Sequence, residues 1–385
     1  MVAAIVLVDT MFYAAIAPLL PYYAHHFHLQ KSQAGVLTAA YAAGMLVGSI
    51  PAGWLAARAG VRATIITGLG LMVVSSLVFA FATHVALLDG ARFVQGVGGS
   101  ASWAAGLAWL IDRAPDNRRA EMIGAALSAA IAGALLGPVL GTAASQTSPK
   151  LVFSLVAALG IGLLLWTLTE RAPAPTGDPQ LRAFAPALRH RRVLMGMWLT
   201  MLGALLYGTL AVLGPLRLSQ LGASNVTVGV AFVIGAALAA IASPLIGRMS
   251  DRRGWRLPVL VGLCGATLWA VLLPLPQAVA PLFALVVLAD GLFGVSYPPA
   301  GAMISAGAEQ VGLGQAYGFG LFNLAWAGGQ VIGGAGGAGL AQASADTVPY
   351  SVLAVLCAIT LVAVVRQGRG VKAASGRASG TSANQ

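Results

Sequence analysis

Arg92-Phe93-Val94-Gln95-Gly96-Val97-Gly98 sits inside an apolar run that extends from Val85 to Ile111. A guanidinium in such a run costs about 2.5–3.5 kcal/mol on insertion scales, so it marks a functional site unless its partners are purely structural. Gly96, Gly98 and Gly99 follow it. Lacking Cβ atoms, they let a neighbouring helix or a ligand approach the backbone closely. Two readings of Arg92 stand side by side. It pairs locally with Asp89, one turn earlier at i, i+3. Alternatively it approaches and leaves a carboxylate during a functional cycle, changing that carboxylate's charge state. Gln95 is placed to bond Arg92 or a substrate.

The surroundings of this stretch are equally apolar. The chain has 385 residues, 58% hydrophobic and 9% charged, with mean hydropathy +0.84. A soluble domain carries about 25% charged residues, so a single soluble core is excluded. Twelve apolar runs of about twenty residues can be counted, each long enough to span a bilayer as a helix. The expected fold is an all-α membrane protein with twelve transmembrane helices in two pseudo-symmetric six-helix halves. The halves are expected at 1–170 and 193–366. Between them lies a cytoplasmic linker, 171–192, rich in proline and ending in Arg189-His190-Arg191-Arg192. A disordered cytoplasmic tail is expected over 367–385.

The net charge of +11 raises nucleic acid as a partner, but the placement of the charges removes it. Eighteen of the 22 lysines and arginines fall on the side that also holds both termini, and three on the other. Such a bias sets membrane orientation. Both termini are therefore expected in the cytoplasm of a multi-pass cell-membrane protein. Arginine far outnumbers lysine, and alanine and glycine abound, which suits a bacterial cytoplasmic membrane. No cleavable signal is evident, and with eight residues before Asp9 a start upstream of Met1 stays open. Cys264 and Cys357 lie in apolar runs and read as buried small hydrophobes.

The halves repeat. A shift of 194 positions carries Pro21 onto Pro215, Gly53 onto Gly247, Arg58 onto Arg252, Gly60 onto Gly254 and Arg62 onto Arg256. A shift of 198 carries Gly96 onto Gly294 and Arg92 onto Asp290. Parallel repeats of this kind belong to transporters that alternate access between their halves.

Gly247-Arg248-Met249-Ser250-Asp251-Arg252-Arg253-Gly254-Trp255-Arg256 resembles the loop signature that follows the second helix of each half in the major facilitator superfamily. The first-half copy runs from Gly53 to Arg62. Arg92-x-x-Gln95-Gly96-x-Gly98 resembles that superfamily's fourth-helix signature, and Gly133-x-x-x-Gly137-Pro138-x-x-Gly141 the fifth-helix signature of its antiporters. Ala17-Pro18-Leu19-Leu20-Pro21, preceded by Asp9, is similar to the drug:proton antiporter, or multidrug efflux, branch. The resemblance implies a secondary active transporter, with proton-coupled efflux of small lipophilic or cationic compounds by alternating access. It implies that Gly53, Arg58, Gly60, Arg62, Asp112, Gly247, Asp251, Arg252, Gly254 and Arg256 form a conformational switch. Ala57 departs from the pattern, since the family usually has aspartate there. Asp112 is left to meet Arg58, Arg62 or Arg113.

Asp9 and Asp290 lie within apolar runs. Burial in a medium of low dielectric favours the neutral form of a carboxyl group, which suits reversible protonation. With Arg92 they are the expected proton-coupling residues; the alternatives are an interfacial Asp9 and an ion-paired Asp290. Tyr13, Gln95, Tyr297, Asn323 and Trp326 are the expected substrate contacts. Phe12, Trp103, Trp109, Tyr207 and Phe322 are further aromatic candidates, for each of which core packing is the competing role. Gly133, Gly137, Pro138 and Gly141 serve as a hinge or as a packing surface. His25, His26 and His28 have no carboxylate or cysteine beside them, so no metal site is expected. No catalytic residue and no cofactor are expected, the proton gradient being the energy source, and the protein is not expected to be an enzyme. The expected partners are a small-molecule substrate and the lipid bilayer, with a monomer as the working unit. A proton-coupled uptake symporter for a sugar, organic acid or amino acid is the alternative, and a non-transporting membrane sensor the alternative of another class.

Overall fold

A hydrocarbon interior offers no water to peptide groups, so a spanning chain must close its hydrogen bonds within itself, and helices do this. The computed structural model describes the backbone of residues 1–113, 119–170, 184–313 and 315–381; within these ranges the side chains of 111–113, 119–121, 123, 184, 290, 315, 316 and 368–381 lie outside the described set. All regular elements among the described residues are helical.

The first rod is α1 (Val2–Ala14) and α2 (Ile16–His26), separated by one turn residue, Ala15. Then come α3 (Lys31–Ala59), α4 (Val61–Ala80), α5 (Val85–Arg113), α6 (Arg119–Gln146) and α7 (Pro149–Thr169). A short α8 (Phe184–Ala187) falls in the expected linker. It precedes α9 (Arg191–Gln220), α10 (Asn225–Arg253) and α11 (Arg256–Leu272). α12 (Val279–Phe293) passes through a 3-10 turn, Gly294–Ser296, into α13 (Tyr297–Gln310). α14 (Gln315–Val331) passes through a π-helical stretch, Ile332–Gly336, into α15 (Gly337–Ala343). α16 (Thr347–Thr381) stays helical past residue 367, across most of the segment expected as a tail. Among the described residues, nine of these rods are long and apolar enough to cross a membrane. The stretches 85–113, 256–272 and 315–343 coincide with the other three expected runs.

The repeat is visible in the backbone. α3 ends at Gly60 with φ 85° and ψ 160°, and α10 ends at Gly254 with φ 81° and ψ 158°. That region of conformational space is essentially closed to residues with a Cβ. The same glycine turn thus reverses the chain in each half, 194 positions apart.

Backbone contact through glycine sets the helix packing. A Cβ on Gly44 would overlap the Phe93 carbonyl, and one on Gly96 would overlap the Tyr41 carbonyl, so α3 and α5 touch reciprocally. Gly98 faces the Gly68 carbonyl of α4. Gly133, Gly137 and Gly141 seat α6 on α1 and the Ala15 turn, against Leu7, Met11 and Ala15 carbonyls. Two apolar clusters result. One runs from Val2 to Leu163 and takes in Val212 and Ala338. The other runs from Leu199 to Val364 and takes in Ala17. The outer faces carry exposed apolar stripes such as Leu151, Leu155 and Leu159 on α7, as expected against lipid. Cys264 corrects its sequence reading, since it is exposed while Cys357 is buried. A helix that is apolar on every side gives no periodicity from which to tell lipid face from core face.

The two ends of the bundle differ. At the Lys31 end, Lys31 Nζ meets Asp346 Oδ1 at 2.5 Å. There the Ser32 amide donates to Gln342 Oε1 at 2.8 Å, and Gln342 Nε2 donates to Gln30 Oε1 at 2.5 Å. Gly229 of α10 also lies against Thr142 of α6. At the arginine-rich end, Gly53 and Gly247 have no neighbour among the described residues within 4 Å of where a Cβ would stand. Ile50, Trp54, Ile241 and Leu245 are exposed there. The structure is closed at the Lys31 end and open at the other.

Gly96→Ala is expected to lower stability by about 1–3 kcal/mol through overpacking, read as a fall in detergent melting temperature, whereas Gly53→Ala leaves it unchanged. Lys31→Gln is expected to weaken closure of its end by up to about 1 kcal/mol, the worth of a part-exposed ion pair. Spin-label distances between α3 and α15 would show the longer-distance population rise severalfold.

Candidate functional site

Arg92 projects from the second turn of α5 and is 1% exposed. Its Nη1 donates to the Phe12 carbonyl at 3.3 Å and to Gln95 Oε1 at 3.0 Å, and its Nη2 donates to the Tyr13 carbonyl at 3.2 Å. The acceptors come from the end of α1. Pro18 has no N–H to offer the Ala14 carbonyl, and the helix gives way at Ala15, three residues before it. Carbonyls at a helix C-terminus carry partial negative charge and stabilise a cation. The guanidinium carbon also lies 5.3 Å from the Tyr41 ring centroid, 5.9 Å from that of Phe12 and 6.0 Å from that of Tyr13. Arg92 makes no ion pair with Asp89, so the local-pair reading is set aside. Asp89 keeps one buried oxygen, Oδ1, without a partner among the described residues.

Asp9 lies two turns up the first rod from Pro18 and is also 1% exposed. The interfacial alternative is therefore replaced by full burial. Its Oδ2 accepts from the Tyr41 hydroxyl at 2.7 Å and from Trp103 Nε1 at 3.1 Å. Its Oδ1 is buried without a hydrogen-bond partner among the described residues. Gly99 makes room for it, since a Cβ there would stand 2.8 Å from Oδ1. The glycine run after Arg92 therefore admits a helix at Gly96 and a carboxylate at Gly99. Tyr41 is the residue that sequence reading missed. It hydrogen-bonds Asp9, lies under Arg92 and packs on Tyr13 with ring centroids 4.9 Å apart. The available signal was an aromatic hydroxyl in the apolar middle of α3, where the other hydroxyls, Thr38 and Ser49, bond back to their own helix. Trp103, grouped with the cavity aromatics, is instead a ligand of Asp9.

A cavity of about 270 Å3 lies between the two halves. Tyr13 and Thr10 on α1, Pro138 on α6, Tyr207 on α9, Tyr297 on α13 and Trp326 on α14 contribute to its wall. Trp326 packs edge-on to Tyr13 at 5.2 Å, and Tyr297 packs against Phe322 at 6.0 Å. Of the expected substrate contacts, Tyr13, Tyr297 and Trp326 are brought together here. Gln95 is fully buried with its Oε1 accepting from Arg92, and Asn323 is half-buried on α14, one turn before Trp326. Asp290 lies on α12 beside Gly291, which faces the cavity; its side chain is outside the described residues. Two of the wall's segments are interrupted helices, at Ala15 and at Gly294–Ser296, the latter followed by Pro298 and Pro299. Irregular backbone at membrane depth occurs where it lines a cavity.

The switch residues gather at the open end. Arg58 lies over the Trp54 ring at 4.9 Å, and Arg62 donates to the Leu168 carbonyl at the end of α7. Arg256 lies over Trp255 at 5.6 Å. Asp251 and Arg252 are exposed, and no ion pair joins them among the described residues. Asp112 falls outside the described side chains.

A family model of the Major Facilitator Superfamily matches residues 2–318. The MFS-type transporter ppzB of Metarhizium majus is 34% identical over 122 residues, 30% of this chain and 26% of that protein. The multidrug resistance protein MdtL of Escherichia coli is 27% identical over 207 residues, 52% of this chain and 53% of that protein. The chain thus spans about a quarter of the first relative's length and about half of the second's. A crystal structure of a POT family transporter in complex with a thioalcohol-conjugated peptide superposes with a TM-score of 0.78 at 15% identity, covering 96% of each chain. With its membrane-spanning helices, its repeated glycine turn and that match over most of its length, the chain belongs to the Major Facilitator Superfamily of multi-pass membrane transporters.

Proposed function

We propose that this transporter moves small lipophilic or cationic compounds out of the cell in exchange for protons. The observation that carries the reading is Asp9, a fully buried carboxylate with two neutral hydrogen-bond donors and no ion-pair partner among the described residues. A carboxyl group so placed changes charge at low structural cost, because no buried cation is stranded when it is neutralised. Arg92 needs no carboxylate, being held by backbone carbonyls and Gln95.

Asp9 and the cavity are connected through two rings. Protonation of Asp9 weakens the charge-assisted bond from Tyr41. Tyr41 packs on Tyr13, and Tyr13 forms cavity wall against Trp326 of the other half. Charge at Asp9 thereby biases how α14 sits on α1 and α3. The arginine-rich end is assigned to the cytoplasm by the positive-inside rule. The substrate enters there, where the structure is open. A proton arriving from the opposite side loads Asp9 or Asp290 as substrate leaves, and it is released inside when the carrier returns. The uncharged aromatic wall suits lipophilic and cationic rings, and the similarity to MdtL supports export over uptake. A monomer contains every residue of this scheme.

Inside-out vesicles under an inward-acid gradient test the scheme with a panel of lipophilic cations and neutral drugs. Substrate addition is expected to collapse the gradient with wild-type protein and not with Asp9→Asn. If Asp9→Asn still collapses it and Asp290→Asn does not, Asp290 is the coupling group. Uptake without gradient collapse on the export side would turn the reading to symport, and no flux of any compound would turn it to a sensor. Tyr41→Phe, which removes a hydrogen bond to a charged group, is expected to slow exchange about tenfold, measured as initial rate in the same vesicles, with drug binding to detergent-solubilised protein retained.

A further inference from the structure

A second cavity, of about 810 Å3, opens at the arginine-rich end of the C-terminal half, away from the central one. The start of α9 gives it His190, Arg191 and Arg192, and the glycine turn between α10 and α11 gives it Arg256. Among the described residues, Asp251 is the one acidic side chain on its wall. None of the three arginines has a hydrogen-bond or ion-pair partner among the described residues. Arg256 Nε and His190 Nδ1 are buried and unpartnered. The α13 wall is apolar from Pro299 to Ala306 and ends in Gln310, and Met195 adds an apolar side chain from α9.

Convergent guanidiniums in a concave site repel one another and focus a positive potential, which an anion relieves. Arginine pairs with phosphate oxygens through two parallel N–H donors, so unspent arginines facing one space match that group in particular. We infer that this cavity binds a phosphate-bearing anion, with Arg191, Arg192 and Arg256 on the phosphate oxygens and the α13 face against its organic part. The anionic leaflet supplies such groups as lipid headgroups, and the cytoplasm supplies free phosphates. An occupant bridges the α10–α11 turn to the start of α9 and so restrains the switch loop. The inference does not depend on which substrate the central cavity carries.

The test is native mass spectrometry of the full-length protein in detergent, with phosphatidylglycerol, phosphatidylcholine and pyrophosphate as probes. Wild-type protein is expected to retain phosphatidylglycerol or pyrophosphate over phosphatidylcholine. Arg191→Gln/Arg192→Gln is expected to weaken that retention about tenfold or more, and Arg191→Lys/Arg192→Lys to weaken it less, since the charge stays while the paired donors are lost. Retained phosphatidylglycerol that pyrophosphate does not displace assigns a lipid headgroup; displacement by pyrophosphate assigns a free phosphate. Melting temperature reports whether the glutamine variant is folded. If it is not, Ala306→Leu, which narrows the cavity without touching the charges, serves in its place with the same expected loss. Equal retention of all probes by wild type and variant, or no retention by wild type, overturns the inference.

Discussion

The guanidinium of Arg92 on the carbonyls of Phe12 and Tyr13 is the contact on which the N-terminal half depends. An unsolvated cation in an apolar bundle is tolerated only where acceptors meet it; both terminal nitrogens of Arg92 have one, while its Nε is buried without a partner among the described residues. Here the acceptors are supplied by a helix end that Pro18 produces and Ala15 turns. The bend in the first rod and the arginine of α5 are therefore one feature, each stabilising what the other makes costly. Once Arg92 is seated, the rest of α5 has a fixed register. Gly96 meets Tyr41, Gly98 meets Gly68, and Gly99 meets Asp9. The Arg92 to Gly99 stretch is at once a packing motif and the floor under a buried acid.

That arrangement separates two charges that a simpler bundle would pair. Had Arg92 bonded Asp9 or Asp89 directly, neutralising the acid would have stranded a buried cation, at a cost of several kcal/mol. Tyr41 stands between them instead, donating to Asp9 and presenting its ring to Arg92. The charge on Asp9 is thus felt by neighbours that stay hydrogen-bonded in either state. A proton-linked carrier needs that property, because it must visit both charge states in each cycle.

The sequence carried this plan unevenly. Arg92, Asp9 and the paired glycine turns stand out because they break an apolar background or require a backbone shape that only glycine adopts. Gly60 and Gly254 were matched by a shift of 194 and share their φ and ψ within a few degrees. Tyr41 and Cys264 were not legible. Their roles depend on which way each helix is rotated, and rotation is encoded by amphipathic periodicity. Helices that face lipid on one side and apolar core on the other erase that signal. The same erasure placed Trp103 with the cavity aromatics, when its indole N–H in fact bonds Asp9.

The two halves meet through a seam that mixes polar contacts with glycine packing. Inside a half, glycine lets backbone touch backbone, and no rearrangement short of separating helices removes such a contact. Between halves at the Lys31 end, the seam is a part-exposed ion pair, two glutamine hydrogen bonds, the meeting of Gly229 with Thr142 and that of Gly35 with Ala338 and the Gly334 carbonyl. A part-exposed pair contributes about 0–1 kcal/mol, and a neutral hydrogen bond about 0.5–1.5 kcal/mol net. The polar part of the seam is thus weak, and parting the halves also separates the packing at Gly35. Stiff halves joined by such a seam move as bodies, and the open glycines at Gly53 and Gly247 leave space for the opposite end to close when the Lys31 end parts. The π-helical stretch Ile332–Gly336 lies between these regimes. Its glycines pack on Leu205 and Gly35, one neighbour in each half, and Thr209 bonds the Gly333 carbonyl at 3.0 Å. The interrupted ladder thus sits at a glycine contact between the halves, where parting of the Lys31 end must separate packing as well as the Lys31–Asp346 pair.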